Sequence, residues 1–249
     1  MISIKSNREI ELMKIAGKIN YQTHALLKEY IKPGVSTKEL NDIADKFIRS
    51  KDATPSFLNY EGYPASICTS INEEVVHGIP SKRKLKDGDI ISIDIGVNYK
   101  GYHSDSAWTY PVGKISEKKR YLLAHTKNSL FEGLKEIKAG ARLNNIGSSI
   151  EKYALKHKLG VVKELVGHGV GEHLHESPDV PNYGKYDTGI VLKKGMTLAI
   201  EPMLNLGTEK IYLLEDDWTI ITRDYKPSAH FEHTVLVTED GYEILTGEE

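Results

Sequence analysis

The 249-residue sequence carries 33 Lys and Arg against 35 Asp and Glu, a formal net charge of -2, with 39% hydrophobic residues. The chain is long enough to bury a substantial core, but it has no positive excess to neutralise nucleic-acid phosphates or an anionic membrane. No run approaches the roughly 18 apolar residues that span a bilayer, so we expect a cytosolic protein. Because Cys68 is the single cysteine, an internal disulfide and a cysteine-rich zinc site are excluded. Any metal must then be bound by histidines and carboxylates.

Two helices are predicted at the beginning of the chain. Ser6 with Glu9, and Ser36 with Glu39, have the spacing of capping boxes, which satisfy backbone N–H groups of a first helical turn. A Lys-Pro-Gly sequence at 32–34 ends the first helix. The apolar residues at helical spacing are Leu12, Ile15, Ala16, Ile19 and Leu26 in the first helix and Leu40, Ile43, Ala44 and Phe47 in the second.

Strands and a second helix pair follow. A loop rich in proline, glycine and aromatics at 54–64 precedes apolar residues that alternate with period two, typical of half-buried strands, at 67–71 and 91–95. The second helix pair is predicted from Leu123, Leu130, Leu134 and Ile137, then from Leu143, Ile146, Ile150 and Tyr153, with Gly140 and Gly160 at the two ends. Further strands are predicted at 161–166, 196–204, 210–214, 218–222 and 229–237. A helix pair followed by strands thus occurs twice, which suggests two related halves.

The segment ISIDIGVNYKGYHSDSAW is the strongest indication of chemistry. If residues 98–101 form a hairpin turn centred between Tyr99 and Lys100, Asp94 faces Asp105 on the neighbouring strand. Facing side chains lie about 5 Å apart, and two carboxylates there repel each other unless a proton or a cation lies between them. The structural alternative is a β-bulge at a neighbouring glycine, which would break this register.

Two glutamates stand in apolar segments predicted as strands. Glu201 lies in TLAIEPM and Glu232 in AHFEHTVLV, and a glutamate is almost never fully buried unless it is paired or binds a metal. Either could pair with a basic residue instead, although the nearest upstream ones, Lys193, Lys194 and Lys226, fall in predicted turns. Together with the two aspartates, these glutamates favour a site for a hard divalent metal ion.

The stretch GHGVGEHLHE, residues 167–176, places three histidines among glycines. A glycine-rich backbone lets side chains be aimed and lets a substrate approach closely. His168 and His175 can each act as a metal ligand or as a neutral hydrogen-bond donor, whereas His173 is expected to be exposed. A lone loop histidine is more often tolerated than catalytic. Three histidines beside four carboxylates favour two divalent ions that hold a water or hydroxide, as in two-metal hydrolases.

At these residues the sequence resembles the methionine aminopeptidases of the bacterial, type I kind, over essentially the whole chain. The motifs that carry the resemblance are SINEEVVHGIP at 70–80, the two hairpin aspartates, GHGVGEHLHE, AIEPM and FEHTVLV, in the family's order and spacing. The resemblance implies an α+β, pita-bread fold of two pseudo-symmetric halves around a central antiparallel sheet, in one catalytic domain over residues 1–249. It also implies a hydrolase that removes an N-terminal methionine when the second residue is small and uncharged.

The resemblance also implies roles for individual residues. The ligands of two divalent ions would be Asp94, Asp105, His168, Glu201 and Glu232, with Asp105 and Glu232 bridging the ions. The metal would be cobalt, manganese, iron or zinc. His175 would hydrogen-bond the scissile amide and the developing oxyanion, His77 would position the peptide or assist proton transfer, and Glu201 would also transfer a proton. A methionine pocket is implied at Tyr60, Tyr63, Cys68, Leu174 and Trp218, because apolar and aromatic walls suit a flexible thioether.

Four positions depart from the common pattern of that family. Phe57 stands where relatives often have a small residue, and Leu174 where many have an aromatic one. Gly96 stands where a hydroxyl residue is common, and His230 where an amide is frequent. We expect these changes to alter the shape of the pocket and the tuning of the metals, but not the class of reaction.

Two other functions fit parts of the pattern. Proline-specific aminopeptidases and dipeptidases of the same fold share the five ligands, but they usually carry a large additional N-terminal domain and differ around the residue that corresponds to His77. Catalytically inactive modules of this fold bind peptides or histones, but they have lost ligands. The partners that the resemblance implies are the N-termini of nascent polypeptides, met in the cytoplasm by a monomeric enzyme, and recruitment to the ribosome is left open.

Overall fold

The computed structural model describes residues 2–248 and contains both predicted helix pairs. The helices are α1 Asn7–Tyr30, α2 Thr37–Arg49, α3 Glu117–Leu134 and α4 Asn144–Lys156. Both predicted capping boxes, at Ser6 and Ser36, are present and fix the first turns of α1 and α2. Within the described residues, no helix combines the length and the apolar character needed to cross a membrane.

The strands form small antiparallel sheets. Those of the first half are β1 Thr54–Pro55, β2 Cys68–Ile71, β3 Glu74–Val76, β4 Ile90–Tyr99 and β5 Tyr102–Pro111. Those of the second half are β6 Gly160–Val161, β7 Gly167–Gly169, β8 Glu176–Val180, β9 Thr197–Ile200, β10 Met203–Asn205, β11 Ile211–Leu213, β12 Ile220–Thr222, β13 Ser228–His230, β14 His233–Val237 and β15 Tyr242–Ile244. In the first half β4 pairs with β1, β2 and β5, and in the second the strand order is β15-β14-β9-β7-β8.

Each helix pair covers one of these two sheets. Leu27 of α1 and Leu40 of α2 pack with apolar residues of β2 and β4 in one buried cluster, and Leu130 of α3 and Ile150 of α4 pack with β9, β13 and β14 in another. The halves join where β5 lies beside β14. Immediately before β14, the Glu232 N–H donates to the carbonyl of Ala107 in β5 at 2.8 Å. The two helix-then-strand halves predicted from the sequence are therefore present.

The hairpin register differs from the predicted one by two residues. Asp94 pairs with Ala107, and Asp105 pairs with Gly96. The turn is centred on Lys100 and Gly101, both with positive φ, 51° and 89°, as a two-residue hairpin turn requires. A shift of two residues keeps side chains on the same face of the sheet, so the two carboxylates remain neighbours, on a diagonal.

Several predicted elements are shorter than expected. The strands predicted at 196–204 and 229–237 are each interrupted, so that Glu201 lies between β9 and β10, and Glu232 lies between β13 and β14. Of the strand predicted at 161–166, only Val161 is in a strand, and Ile137 lies beyond the end of α3. On α1, Ile15 was expected on the apolar face but is 41% exposed, because the buried face turns toward Met13 and Leu27.

Candidate active site

One cavity contains every site residue that the sequence predicted. It has a volume of about 530 Å³ and is lined by residues of both halves. The predicted residues that line it are Tyr60, Tyr63, Cys68, His77, Asp94, Asp105, His168, Leu174, His175, Glu201, Trp218 and Glu232. His173 is exposed, as expected, and does not line it.

The acidic residues and His168 converge at one end of this cavity. Three groups bring possible ligand atoms within 4.8 Å of one another: Asp94, Asp105 and Glu232; His168, Glu201 and Glu232; and Asp105, His168 and His175. Asp105, His168 and Glu232 each belong to two of these groups, and they are 4%, 7% and 2% exposed. Carboxylates from strands β4 and β5 and from the breaks after β9 and β13 thus share a small, largely buried volume.

Protein atoms alone leave this cluster incomplete. Asp94 Oδ1, Asp105 Oδ1 and Glu232 Oε1 are buried oxygens without a hydrogen-bond partner among the described residues. Burial raises the pKa of Asp94 to about 7 and that of Glu201 to about 8, and burial followed by the neighbouring carboxylates raises the pKa of Asp105 and Glu232 as well. Four clustered carboxyl groups, three of them with an unpaired oxygen, beside a histidine, are the donor set that divalent cations bind. The residues therefore fit a metal centre.

His168 is oriented by its own backbone. Its Nδ1 donates to the Gly169 carbonyl at 2.8 Å, which leaves Nε2 facing Glu201 Oε1 at 3.7 Å and Asp105 Oδ2 at 3.8 Å. Burial, followed by the charge of His175, lowers the pKa of His168 to about 3. A neutral imidazole with one nitrogen fixed by a carbonyl is the form in which histidine binds metals.

His175 is oriented by a hydrogen bond with Tyr60. Its Nδ1 lies 2.8 Å from the Tyr60 hydroxyl, and its ring lies 4.2 Å from that of His168, between centroids. Burial lowers the pKa of His175. Tyr60 was predicted only as a wall of the methionine pocket, and no sequence spacing indicated this hydrogen bond.

His77 follows β3 in a backbone conformation that is uncommon for a residue with a side chain. Its φ is 59°, in the left-handed region that costs a non-glycine residue free energy and is concentrated at functional sites. Burial, followed by the charges of His230 and His175, lowers the pKa of His77 to about 4, so the ring is neutral near pH 7.

The other end of the cavity is apolar. Phe57, Tyr63, Cys68 and Leu174 form a buried cluster, against which Trp218 packs. The Tyr63 hydroxyl lies within hydrogen-bond distance of the Gly78 carbonyl at 3.0 Å, so its polar atom does not face the cavity unpaired. Cys68 is paired with Asp94 in the β-ladder, which places the apolar end directly beside the carboxylates.

The predictions missed the residues that support the site. The Thr234 hydroxyl accepts from the Asp105 N–H at 2.9 Å and donates to the Asp105 carbonyl at 2.7 Å. Lys5 forms a 2.7 Å ion pair with Glu176, next to His175. Lys5 lies outside every motif, and Thr234 lies in FEHTVLV but was given no role, because each acts through a partner that is distant in the sequence. His230 was singled out only as a departure, yet it also lines the cavity.

A buried cluster of carboxylates and imidazoles in a fold of two helix-and-strand halves defines the class of a metal-dependent peptidase. The chain matches the model of metallopeptidase family M24 over residues 11–239, and it belongs to that family.

Within this family, the chain is more similar to methionine aminopeptidases than to a prolidase. The chain is 55% identical over 246 residues to methionine aminopeptidase 1 of Bacillus subtilis, covering 99% of both chains. It superposes on the crystal structure of the methionine aminopeptidase of Thermotoga maritima with a TM-score of 0.98, at 44% identity and over 100% of both chains. A prolidase of Pyrococcus furiosus is more distant, with a TM-score of 0.80 and 26% identity, and the chain covers 66% of it. The predicted resemblance and the predicted fold are therefore confirmed.

Proposed function

We propose that this protein is a metal-dependent aminopeptidase that removes the N-terminal methionine of polypeptides whose second residue is small and uncharged. The observation that carries the proposal is one cavity with carboxylates and imidazoles at one end and an apolar pocket at the other. An unbranched thioether fits such aromatic and apolar walls, and the adjoining carboxylates lie where the first peptide bond would be. The names of the relatives point to the same activity.

The proposed metal centre holds two divalent ions. Its ligands would be Asp94, Asp105, His168, Glu201 and Glu232, with Asp105 and Glu232 shared by the two ions. Each of these five residues belongs to at least one of the groups of possible ligand atoms. The ions, cobalt, manganese, iron or zinc, would supply Lewis-acid polarisation of the scissile carbonyl and a nucleophile that is active at neutral pH. The uncompensated buried oxygens support this assignment.

Three side chains have proposed roles in the reaction itself. With its Nδ1 bound to the Tyr60 hydroxyl, His175 presents Nε2 to the scissile amide and to the oxyanion that develops there. Glu201, ionised when it binds the metal, would accept a proton from the nucleophile and deliver it to the leaving amine. His77, neutral and at the cavity wall, positions the peptide backbone or assists that transfer.

The proposed substrates are the N-termini of nascent chains in the cytoplasm, processed by a monomer at or away from the ribosome. We also infer that residues 1–249 form one catalytic domain. In support, β3 of the first half pairs with β12 of the second, and carboxylates of both halves meet in one cavity. Gel filtration with light scattering tests the proposed monomer.

A peptidase assay of the metal-reconstituted protein tests the proposed function. We expect hydrolysis of Met-Ala-Ser, with little turnover of Met-Leu-Ser or Ala-Pro peptides. Preferential cleavage of Ala-Pro would instead support the proline-specific relatives of the same fold. Absence of turnover with every metal, together with peptide binding, would support the non-catalytic module.

A further inference from the structure

His230 is a buried imidazole beside the carboxylate cluster, and none of the roles proposed above uses it. It ends β13 and is 2% exposed. Its Nε2 has no hydrogen-bond partner among residues 2–248. Buried polar atoms are nearly always paired, because an unpaired one loses its hydration without compensation. The nitrogen is therefore expected to have a partner that the protein chain does not provide.

The distances around this nitrogen are those between two ligands of one ion. Nε2 of His230 lies 3.6 Å from Glu201 Oε2 and 3.8 Å from Glu232 Oε2, which is too long for a hydrogen bond. Two atoms that bind one ion at about 2.1 Å, at angles of about 110° to 120°, are separated by roughly 3.4 to 3.6 Å. His168 has closely similar spacings to Glu201 Oε1 and Asp105 Oδ2, 3.7 and 3.8 Å. The two imidazoles thus face different oxygens of Glu201, at 3.7 and 3.6 Å.

The backbone of His230 is fixed on the neighbouring strand. The Thr109 hydroxyl of β5 accepts from the His230 N–H and donates to the His230 carbonyl, both at 2.9 Å. A hydrogen bond between the Ser92 and Thr109 hydroxyls, 2.8 Å long, holds that threonine in turn. Asp105 is held in the same way by Thr234 on β14. A threonine hydroxyl therefore fixes the backbone of His230 in the way that it fixes the backbone of Asp105, a residue of the proposed ligand set.

We propose that His230 is a further metal ligand, whose Nε2 binds a divalent ion together with at least one of the two neighbouring carboxylates, Glu201 and Glu232. The inference rests on the metal-dependent function proposed above and adds a second imidazole to its ligands. Imidazole suits zinc, iron and nickel, whereas carboxylates and water suit magnesium and manganese. The additional nitrogen therefore shifts the preference of the site toward zinc over manganese.

Direct observation of the metal–nitrogen bond tests this proposal without any variant. The protein is prepared with isotopically labelled histidine and loaded with a spin-active cadmium isotope, and one-bond cadmium–nitrogen couplings are measured by NMR. We expect a coupling at the Nε2 of His230 as well as at that of His168. A coupling at His168 alone would overturn the inference and leave the proposed function standing. Failure of the protein to bind any divalent ion would overturn both the inference on His230 and the proposed metal-dependent function.

Zinc and manganese affinities of variants provide a second test. We expect His230→Gln to weaken zinc binding by about 10-fold or more, with a smaller effect on manganese. Because glutamine keeps an N–H donor near Glu201, wild-type affinity in this variant would show that hydrogen bonding suffices, and would contradict the proposal. His173→Gln is the matched control, since it removes an exposed imidazole from outside the cavity, and it should bind both metals as the wild type does.

Discussion

At the scale of single residues, Phe57 and Gly96, two positions expected from the sequence to depart from the family pattern, lie in contact. A Cβ atom added to Gly96 would lie 2.6 Å from Cε1 of Phe57 and 2.7 Å from Cβ of Ser56. The Phe57 ring therefore occupies space that a side chain at position 96 would need. The sizes of the residues at positions 57 and 96 are therefore coupled. The Phe57 ring enters the apolar end of the cavity because Gly96, on the neighbouring strand β4, has no side chain there.

We expect Gly96→Ala to lower the free energy of unfolding by about 1 to 3 kcal/mol, the usual cost of overpacking a well-packed region. Adding Phe57→Ala should recover part of the loss but not all of it, because the contact with Ser56 remains. Urea denaturation measures both effects. Gly241→Ala is the control, because nothing lies within 4 Å of its added Cβ. If Gly96→Ala were as neutral as this control, the coupling would be disproved.

At the scale of elements, the loop that carries His175 is held by the N-terminal segment. The Lys5 side chain is 2% exposed and its Nζ lies 2.7 Å from Glu176 Oε2, while Glu176 Oε1 accepts from the His173 N–H at 3.1 Å. Lys5 also passes so close to Gly171 that a Cβ there would lie 2.3 Å from its Cε. Burial raises the pKa of Glu176, but the hydrogen bonds from Lys5 and His173 lower it, and the net pKa is below the usual value. This carboxylate is therefore ionised and relies on Lys5 for compensation.

Replacement of Lys5 by methionine should release this loop. Removing one partner of a buried ion pair typically costs about 3 to 5 kcal/mol, and we expect a loss toward the low end, since Glu176 keeps some contact with solvent. Hydrogen exchange of the His173 amide should accelerate, and kcat should fall more than KM rises. The double variant with Glu176→Gln should regain stability. Lys14→Met, which breaks an exposed ion pair with Glu243, should change neither exchange nor kcat.

The sequence predicted which side chains meet more accurately than it predicted the backbone that brings them together. Asn98 and Gly101 both favour turns, and residue type alone did not show that the two positive-φ positions are Lys100 and Gly101. Similarly, alternation of apolar residues extended the predicted strands through Glu201, where Pro202 cannot donate to a ladder. The predicted carboxylates nevertheless meet in one cluster. For the hairpin, this is because a shift of two residues keeps each side chain on the same face of the sheet.

At the scale of the whole molecule, the fold brings like charges together. Asp94 and Asp105 belong to the first half, and Glu201 and Glu232 to the second, so the cluster forms only when the halves join. In the metal-free protein, burial raises the pKa of Asp94 to about 7 and that of Glu201 to about 8, whereas carboxyl groups of an unfolded chain titrate near 4. Between these values the folded protein binds more protons than the unfolded chain does.

Stability of the metal-free protein should therefore fall as the pH rises from 7 to 8. Each carboxyl group that is protonated only in the folded state contributes a loss of up to about 1.4 kcal/mol per pH unit. Buried histidines oppose this trend only at lower pH: burial lowers the pKa of His168 to about 3, so its stabilising effect rises with pH only up to the unfolded value near 6.5.

Urea denaturation of chelator-treated protein at the two pH values measures this loss. Saturating zinc should remove it, because the ion binds the ionised carboxylates and stabilises the folded state. Glu201→Gln should reduce the slope, since it replaces one titrating group by a neutral amide of similar shape. A metal-free stability that stays constant or rises from pH 7 to pH 8 would mean that these carboxyl groups are already ionised, and therefore that the cluster is stable without a cation.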